Sequence, residues 1–327
     1  MHPPIIQVLG GGPAGASAAL SAMLAGAHVT LREKSRLPRH KVCGEFFSPE
    51  IERELQALGA WDAFRSAAPA RIERMALHLG KRSRCAPLPE GAWGLSRYVF
   101  DDLLMNLALD RGLHPPPAMP PNATVIATGR KSSRSAKGSR LFGFKAHFAG
   151  PTDDAVELFF FDGAYVGVAP IEAGATNVCG LGPESFLARF GFEFDSVIGQ
   201  CPALADRLRP LHRTMDWVST GPLEYGQHFA DAVPGAFPEA YAAGDALSFV
   251  DPFTGSGLLA AVRTGALAGR AAARGDRAED YLRQSRASLR KPFAASAALR
   301  GLVKNGWAEK LLGLAPSRML YALTRPR

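Results

Sequence analysis

Three glycines near the start of the chain have the spacing of a phosphate-binding turn. Gly10, Gly12 and Gly15 form the pattern G-x-G-x-x-G, directly after the apolar run 5–9. In a strand–turn–helix unit the first glycine permits a tight turn and the second lets the backbone approach a pyrophosphate. The third lets the helix pack closely on the strand, and the helix N-terminus presents free N–H groups to the phosphates. The spacing predicts a dinucleotide-binding site.

An acidic residue follows where a ribose would bind. The predicted second strand, residues 28–32, ends at Glu33. In dinucleotide-binding folds a carboxylate about 20 residues beyond the glycines accepts hydrogen bonds from a ribose hydroxyl group. Residues 34–45 are basic and irregular, and we expect them to form a loop near the phosphates or the ring of the cofactor. These features favour a dinucleotide site over an unrelated glycine-rich turn.

A second motif, Gly244-Asp245, distinguishes between dinucleotides. It follows residues 240–243, which are predicted to form the last parallel strand. The Asp245 carboxylate can accept hydrogen bonds from the sugar-alcohol chain of a flavin, and segment 252–257 can bring backbone against the flavin ring. The N-terminus of the predicted helix that begins at Leu258 can stabilise negative charge on the reduced ring. This pattern predicts FAD as the bound cofactor.

These stretches together resemble a known family. Gly10–Gly15, residues 39–44, Arg97 and residues 244–257 are similar to the FAD-dependent oxidoreductases. This family includes geranylgeranyl reductases, flavin-dependent halogenases and aromatic-ring monooxygenases. The resemblance extends over roughly residues 1–275.

The resemblance implies a set of cofactor contacts and one candidate catalytic residue. The element Lys41-x-Cys43-Gly44 is most similar to the geranylgeranyl reductase branch, which implies that Cys43 lies near the flavin ring. A cysteine between Val and Gly is also typical of a small buried apolar residue, so both roles stay open. The residues predicted to bind the cofactor are Gly10, Gly12, Pro13, Ala14, Gly15, Glu33, Lys34, Arg39, Lys41, Cys43, Gly44, Arg97, Thr128, Gly129, Gly244, Asp245, Pro252, Gly255, Ser256, Gly257 and Leu258.

Between the two motifs the pattern changes to alternation with a period of two. Phenylalanines in residues 141–148 alternate with Gly143, Lys145 and His147, and further strands follow with a hairpin turn at Asp162-Gly163. We expect an antiparallel sheet whose aromatic face covers the substrate, with Lys145 and His147 on the opposite face in solvent. The residues predicted to line the substrate pocket are Phe142, Phe144, Phe161, Tyr165 and Phe249.

The fold class that follows is α/β. We predict a Rossmann-like FAD-binding domain, in which helices flank a parallel sheet, with an inserted antiparallel-sheet substrate domain and a helical C-terminus. The predicted ranges are 1–66, 95–140 and 235–275 for the FAD-binding domain, 67–94 and 141–234 for the substrate domain, and 276–327 for a basic helical C-terminal segment.

The positive charge of the chain is concentrated at its end. Of the net charge of +8, residues 281–327 contribute ten Lys or Arg and one acid, whereas residues 1–280 hold 28 basic and 29 acidic residues. Such a tail could contact an anionic membrane peripherally or bind an acidic carrier protein, or its charges could simply be solvated. Basic and aromatic residues are not interleaved in the manner of nucleic-acid binding, which argues against a nucleic-acid partner.

The cysteines and the N-terminus favour a cytoplasmic location. The four cysteines lack metal-ligand spacing, which fits a reducing compartment and a protein without a metal site. The first apolar run is committed to the phosphate turn rather than to a signal peptide, and arginines interrupt the apolar stretch near residue 260.

Several reactions remain open for an FAD-dependent oxidoreductase acting on a hydrophobic or aromatic small molecule. The Asp-Gly usual in the monooxygenases is replaced by Thr128-Gly129, and Tyr165–Pro170 lacks the tryptophans of the halogenase W-x-W-x-I-P segment. The Cys43 element favours geranylgeranyl-reductase-like reduction of carbon–carbon double bonds, whereas the short length and compact aromatic sheet favour a monooxygenase (hydroxylase). An electron-transfer flavoprotein that docks to a partner reductase is the alternative of another class. NADPH or NADH is the candidate external reductant.

Overall fold

The helices and strands follow the predicted pattern over most of the chain. The computed structural model describes residues 2–113, 120–130, 140–223, 239–248 and 255–290. In chain order the elements are β1 (Ile5–Leu9), α1 (Pro13–Leu24), β2 (His28–Arg32), β3 (Phe46–Phe47), α2 (Ile51–Ala57), α3 (Trp61–Ser66), β4 (Ala70–Leu79), β5 (Arg82–Gly94), α4 (Arg97–Asp110), β6 (Ala123–Ile126), β7 (Leu141–Ala149), β8 (Ala155–Phe161), β9 (Ala164–Pro170), β10 (Thr176–Pro183), α5 (Glu184–Leu187), α6 (Phe194–Ile198), α7 (Pro202–Leu208), β11 (His212–Arg213), β12 (Val218–Leu223), β13 (Ala240–Ala242) and α8 (Gly257–Arg274). Residues 278–290 are helical as well.

A parallel sheet carries both sequence motifs. Its strand order is β13-β6-β1-β2, and every neighbouring pair is parallel. The glycine turn follows β1 and the Gly244-Asp245 turn follows β13, so both lie at the carboxyl edge of the sheet. Ligands of open parallel sheets bind at this edge, where the strand order changes direction.

Two small-residue helices pack closely beside this sheet. A Cβ atom at Gly265 or Gly269 of α8 would lie 2.1 Å from the carbonyl oxygen of Ala14 or Ala18 in α1. No side chain fits at that distance, so the glycines allow backbone-to-backbone packing of the two helices. The contact places the N-terminus of α1 next to the Gly244 turn, since a Cβ at Gly244 would lie 2.7 Å from the Ala14 Cβ.

The second sheet is predominantly antiparallel. Its strands run in the order β11-β7-β10-β9-β8-β4-β5-β3, with β12 also paired to β7; among these pairs only β4 with β8 is parallel. The predicted hairpin is confirmed: Asp162 and Gly163 both have positive φ, +48° and +75°, and join antiparallel β8 and β9. The predicted α/β fold class with a parallel and an antiparallel sheet is confirmed, while the predicted domain boundaries stay a prediction.

Two local features run against the residue types that form them. Residues 86–94 are rich in Pro and Gly, which are typical of connections, yet they belong to β5 because β4 pairs with them across a register shift after Ile72. Ser48-Pro49 is typical of a helix start, but α2 begins at Ile51 without a side-chain cap. No helix within the described ranges is long and apolar enough to cross a membrane. Of the predicted C-terminal segment 276–327, residues 291–327 lie outside the described residues.

Candidate functional site

The glycine turn has the geometry that the sequence predicts. Gly10 has φ of +103°, and a Cβ there would lie 2.2 Å from the carbonyl oxygen of Ala127. A Cβ at Gly15 would lie 1.7 Å from the carbonyl oxygen of Gly10. Both positions therefore require glycine, because any side chain would displace the backbone of the turn. Pro13 and Ala14 begin α1 at the end of this turn, and both are buried.

Two cations lie over Gly12. A Cβ at this glycine would be 3.7 Å from the Lys41 Nζ and 3.8 Å from an Arg97 Nη. The buried Asp101 holds both side chains: Lys41 donates at 2.7 Å, and Arg97 donates through two nitrogens at 2.6 and 2.8 Å. Although burial opposes ionisation, Arg97 and Lys41 lower the pKa of Asp101. The result is a preorganised positive site beside a backbone segment that carries no side chain at Gly12, which suits a diphosphate.

Sequence reasoning did not identify Asp101. Its signal was the spacing from Arg97, since residues four apart on a helix lie on one face. The spacing alone could not show that Lys41, 60 residues away, shares the same carboxylate.

Glu33 lies at the end of β2 beside the glycine turn. Its Oε2 accepts the N–H of Gly11 at 2.6 Å, and its Oε1 accepts the N–H of Ser35 at 2.9 Å. Partial burial opposes ionisation, but these two backbone donors lower the pKa of Glu33. A carboxylate fixed in this way is positioned to accept hydrogen bonds from a ribose. Lys34 next to it is exposed, and Arg39 is half-buried and contributes positive potential at Glu33.

The Gly244-Asp245 turn reaches the same place from β13. Gly244 has φ of +59°, and its N–H donates to the Thr264 hydroxyl at 2.9 Å. Asp245 is exposed to solvent on one side, and the protein around its carboxylate raises its pKa, opposed by the positive charges of Arg97 and Arg130. The structure therefore brings the two motifs together around Arg97, although they are far apart in sequence.

Cys43 lies in a turn that is tied to the antiparallel sheet. Its carbonyl oxygen accepts the Asn177 amide of β10 at 3.0 Å, and its Sγ accepts the Glu45 N–H at 3.4 Å. Burial raises the pKa of the Cys43 thiol. The thiol is therefore neutral near pH 7, which does not favour a thiolate nucleophile. Gly44 beside it is exposed.

A buried polar cluster lies directly beyond this turn. The Glu45 carboxylate accepts hydrogen bonds from Lys145, from His147 at 2.7 Å, and from the backbone N–H of Arg97 at 2.7 Å. Glu45 and Lys145 are completely buried and His147 is nearly so. The expectation that Lys145 and His147 face solvent was wrong, because they face Glu45 and the cofactor-side loop.

The aromatic face of the sheet consequently points the other way. Phe144 stacks on Phe194 of α6 at 4.5 Å between ring centroids, while Phe142 and Phe161 contact the aromatic residues at 192 and 186. These phenylalanines belong to the apolar cluster between the sheet and α5–α7. Their assignment to the substrate pocket disagrees with this geometry. Side chains one position apart in a strand point to opposite faces, so these phenylalanines point away from the face that carries Lys145 and lies against the Cys43 turn.

Tyr165 is the predicted pocket residue on the face that carries Lys145. It clusters with Leu181 and Leu223, and the partly buried Leu141 packs against them. Gly143 of the same face is covered by the loop, since its Cβ would lie 2.9 Å from a methyl group of Val42. The face beside the Cys43 turn is therefore polar at one end and apolar at the other.

The remaining predicted residues are placed as follows. Thr128 is exposed and Gly129 has φ of +78° with open space around its Cβ position. Gly255 and Ser256 precede α8, which begins at Gly257. Leu258, the second residue of α8, is buried in the core, and its predicted cofactor contact stays a prediction. Pro252 and Phe249 lie outside the described residues.

Comparisons with known proteins agree on the fold. No protein-family model matches the chain, and no curated protein matches it in sequence. Three solved structures are similar: the flavin-dependent brominase Bmp2 (TM-score 0.78, 18% identity, 99% of this chain and 93% of that one), a geranylgeranyl bacteriochlorophyll reductase-like protein from Thermoplasma acidophilum (0.68, 18%, 92% and 87%), and P. aeruginosa PqsL in complex with 2-aminobenzoylacetate (0.69, 14%, 92% and 96%).

These similarities confirm the predicted resemblance at the level of the fold. The chain has the fold shared by flavin-dependent halogenases, a geranylgeranyl reductase-like protein and PqsL. Identity of 14 to 18% to the three shows the fold and leaves the reaction to be argued from the site.

Proposed function

We propose that this chain is an FAD-dependent oxidoreductase that hydroxylates a hydrophobic or aromatic small molecule. The observation that carries the proposal is the convergence of Gly12, Arg97 and Asp245 at the carboxyl edge of the parallel sheet. Arg97 lies over the glycine turn, and its positive charge also acts on the Asp245 carboxylate. A single elongated ligand can therefore contact Gly12, Arg97 and Asp245. Such a ligand carries phosphates at one end and hydroxyl groups farther along.

The residues of the site fit FAD part by part. Glu33 would bind the adenosine ribose, Gly12 with Lys41 and Arg97 would bind the diphosphate, and Asp245 would bind the ribityl chain. The absence of a side chain at Gly12, under two cations held by Asp101, leaves a space of the right charge for a phosphate. When bound, FAD would supply the two-electron redox chemistry that no side chain can provide.

The chain's own contribution is to bind and orient a substrate and to exclude water. Tyr165, Leu181 and Leu223 form a buried apolar cluster on the side of the sheet that faces the Cys43 turn. Apolar side chains there favour a hydrophobic or aromatic substrate over a charged metabolite. The similarity to PqsL, solved with the aromatic compound 2-aminobenzoylacetate, supports this substrate class.

Reduction of a carbon–carbon double bond is the second candidate. It is favoured by the Cys43 thiol, which lies on the cofactor side of the site and keeps its proton on Sγ near pH 7. The similarity to the geranylgeranyl reductase-like protein supports the same reading. An electron-transfer role with a partner protein is the third, and NADPH or NADH is the proposed reductant for each of them.

One experiment separates these reactions. The purified protein is reduced anaerobically with dithionite and divided into two portions. One portion is mixed with ¹⁸O₂-saturated buffer and 2-aminobenzoylacetate, the other with geranylgeraniol in the absence of oxygen, and the products of both are analysed by mass spectrometry. Hydroxylation adds one ¹⁸O atom to the aromatic probe. Gain of two hydrogens by the isoprenoid under anaerobic conditions would instead establish the reductase. Rapid oxidation by a one-electron acceptor with neither probe changed would support the electron carrier, and release of no FAD on denaturation would overturn the whole proposal.

A further inference from the structure

Glu45 has a backbone conformation that is unusual for its residue type. Its φ is +55°, in the left-handed region that favours glycine. A non-glycine residue stays there only where surrounding contacts hold it, and such residues concentrate at functional sites. Glu45 immediately follows Cys43 and Gly44, so its conformation sets the direction of the turn that carries the thiol.

Contacts from separate parts of the fold hold this residue. Lys145 and His147 of β7 bind its carboxylate. The backbone N–H of Arg97, the first residue of α4, binds the same carboxylate, and the Glu45 carbonyl oxygen accepts the N–H of Leu95 at 3.1 Å. The turn is therefore clamped between the antiparallel sheet and the helix that carries the phosphate-side arginine.

A second tether from the sheet acts on the turn itself. The Asn177 amide donates to the Cys43 carbonyl oxygen at 3.0 Å, and Asn177 pairs across the sheet with His147. Asn177 is 1% exposed, and its Oδ1 is buried without a hydrogen-bond partner among the described residues. Among the described residues, the hydrogen bond to the Cys43 carbonyl oxygen is therefore the contact that orients the Asn177 side chain.

The cluster cannot itself bind a substrate. Glu45 and Lys145 have no exposed surface, and His147 is covered by the ring of His40, whose centroid lies 5.0 Å away. His40 in turn stacks on Tyr98 at 4.8 Å. These residues therefore act on the site through the conformation of the turn.

We propose that Glu45, Lys145 and Asn177 are positioning residues that fix the Cys43–Gly44 turn beside Arg97. The antiparallel sheet then determines how the Cys43 thiol is shielded, in addition to forming the substrate side of the site. Only the part that concerns the cofactor rests on the proposed function: a displaced turn would also change the surroundings of bound FAD.

The test measures the reactivity of each cysteine separately. Full-length Lys145→Met protein is treated with iodoacetamide, and the rate at each cysteine is read by mass spectrometry, with the exposed Cys85 of β5 as internal reference. We expect the Cys43 rate relative to Cys85 to rise about 10-fold. In Glu45→Gln/Lys145→Met, where both charges are removed together, the ratio should return to within about threefold of the parent.

A control breaks a partly exposed ion pair on the aromatic face of the same sheet. Arg207 donates to Glu157 at 2.5 Å, and the His78 Nε2 lies 3.3 Å from the same carboxylate. Arg207→Met should leave the Cys43-to-Cys85 ratio unchanged. A rise in that variant equal to the rise in Lys145→Met would show general loosening and overturn the proposal.

A second variant keeps the proposal falsifiable if Lys145→Met does not fold. Asn177→Ala removes one hydrogen bond to the turn and buries no charge, and we expect it to raise the Cys43 ratio about threefold. Unchanged ratios in every folded variant would refute the positioning role. Visible absorbance of bound FAD is recorded in parallel, and a shifted flavin band is expected with the altered ratio. The thiol measurement needs no FAD, so failure of FAD binding and failure of this inference are distinguishable.

Discussion

Replacing Glu45 tests the energetic role of the buried cluster. Glu45→Ala leaves Lys145 without a carboxylate partner, although its side chain has no exposed surface. Removing one partner of a buried ion pair costs about 3–5 kcal/mol, because the remaining charge stays buried and uncompensated. We expect that loss in the free energy of unfolding.

The backbone conformation adds a second, more specific expectation. At φ of +55° an L-residue is disfavoured by about 1–2 kcal/mol relative to glycine. Glycine loses about 0.5–1 kcal/mol more conformational freedom than alanine on folding. The difference leaves Glu45→Gly more stable than Glu45→Ala by about 0.5–1 kcal/mol, although both variants lose the same carboxylate.

The assay is thermal and urea unfolding followed by circular dichroism. An unfolding entropy of about 2.1 cal/mol/K per residue gives about 0.7 kcal/mol/K for 327 residues. Glu45→Ala should therefore lower Tm by about 4–7 °C, and Glu45→Gly should recover about 1 °C. Glu52 of α2 provides the control, because at a helical position the alanine variant should be the more stable one.

Two outcomes would refute the reasoning. If Glu45→Ala lost less than about 1 kcal/mol, the buried Lys145 would not depend on this carboxylate. If alanine were more stable than glycine at position 45, as at position 52, the left-handed conformation of Glu45 would not exist in solution.

Three further predictions concern the turn, the cations and pH. Gly15→Ala places a Cβ 1.7 Å from a carbonyl oxygen of the phosphate turn, so folded protein and FAD retention should be lost, whereas Gly199→Ala, with ordinary contacts, changes stability by less than about 0.5 kcal/mol. Asp101→Asn should cost about 2 kcal/mol of stability and weaken FAD binding in fluorescence titration, because two cations lose their shared carboxylate, while Asp102→Asn should do neither. Burial and nearby positive charge lower the pKa of His40 in the folded protein, so on acidification the unfolded chain binds a proton at a higher pH than the folded one. The free energy of unfolding should therefore fall as the pH drops below about 6.5. In His40→Gln, the free energy of unfolding measured in urea should depend less on pH between about 7.5 and 5.

Features that depend on local sterics could be predicted from the sequence. The turn at Gly10–Gly15 and the hairpin at Asp162-Gly163 each follow from what a few neighbouring residues permit. The position of Glu33 follows because β1 and β2 are adjacent parallel strands joined by one helix. The fold class and the cofactor side of the site were accessible for the same reason.

The tertiary structure alone decided which face of the antiparallel sheet meets the site. Alternation in β7 shows that Phe144 and Lys145 lie on opposite faces, but it cannot show what covers each face. Polarity suggested that Lys145 faces water, whereas Glu45, 100 residues earlier, lies against it and pairs with it. A charged side chain is buried only where a partner compensates for its lost hydration, and that partner comes from a distant segment that no local pattern identifies.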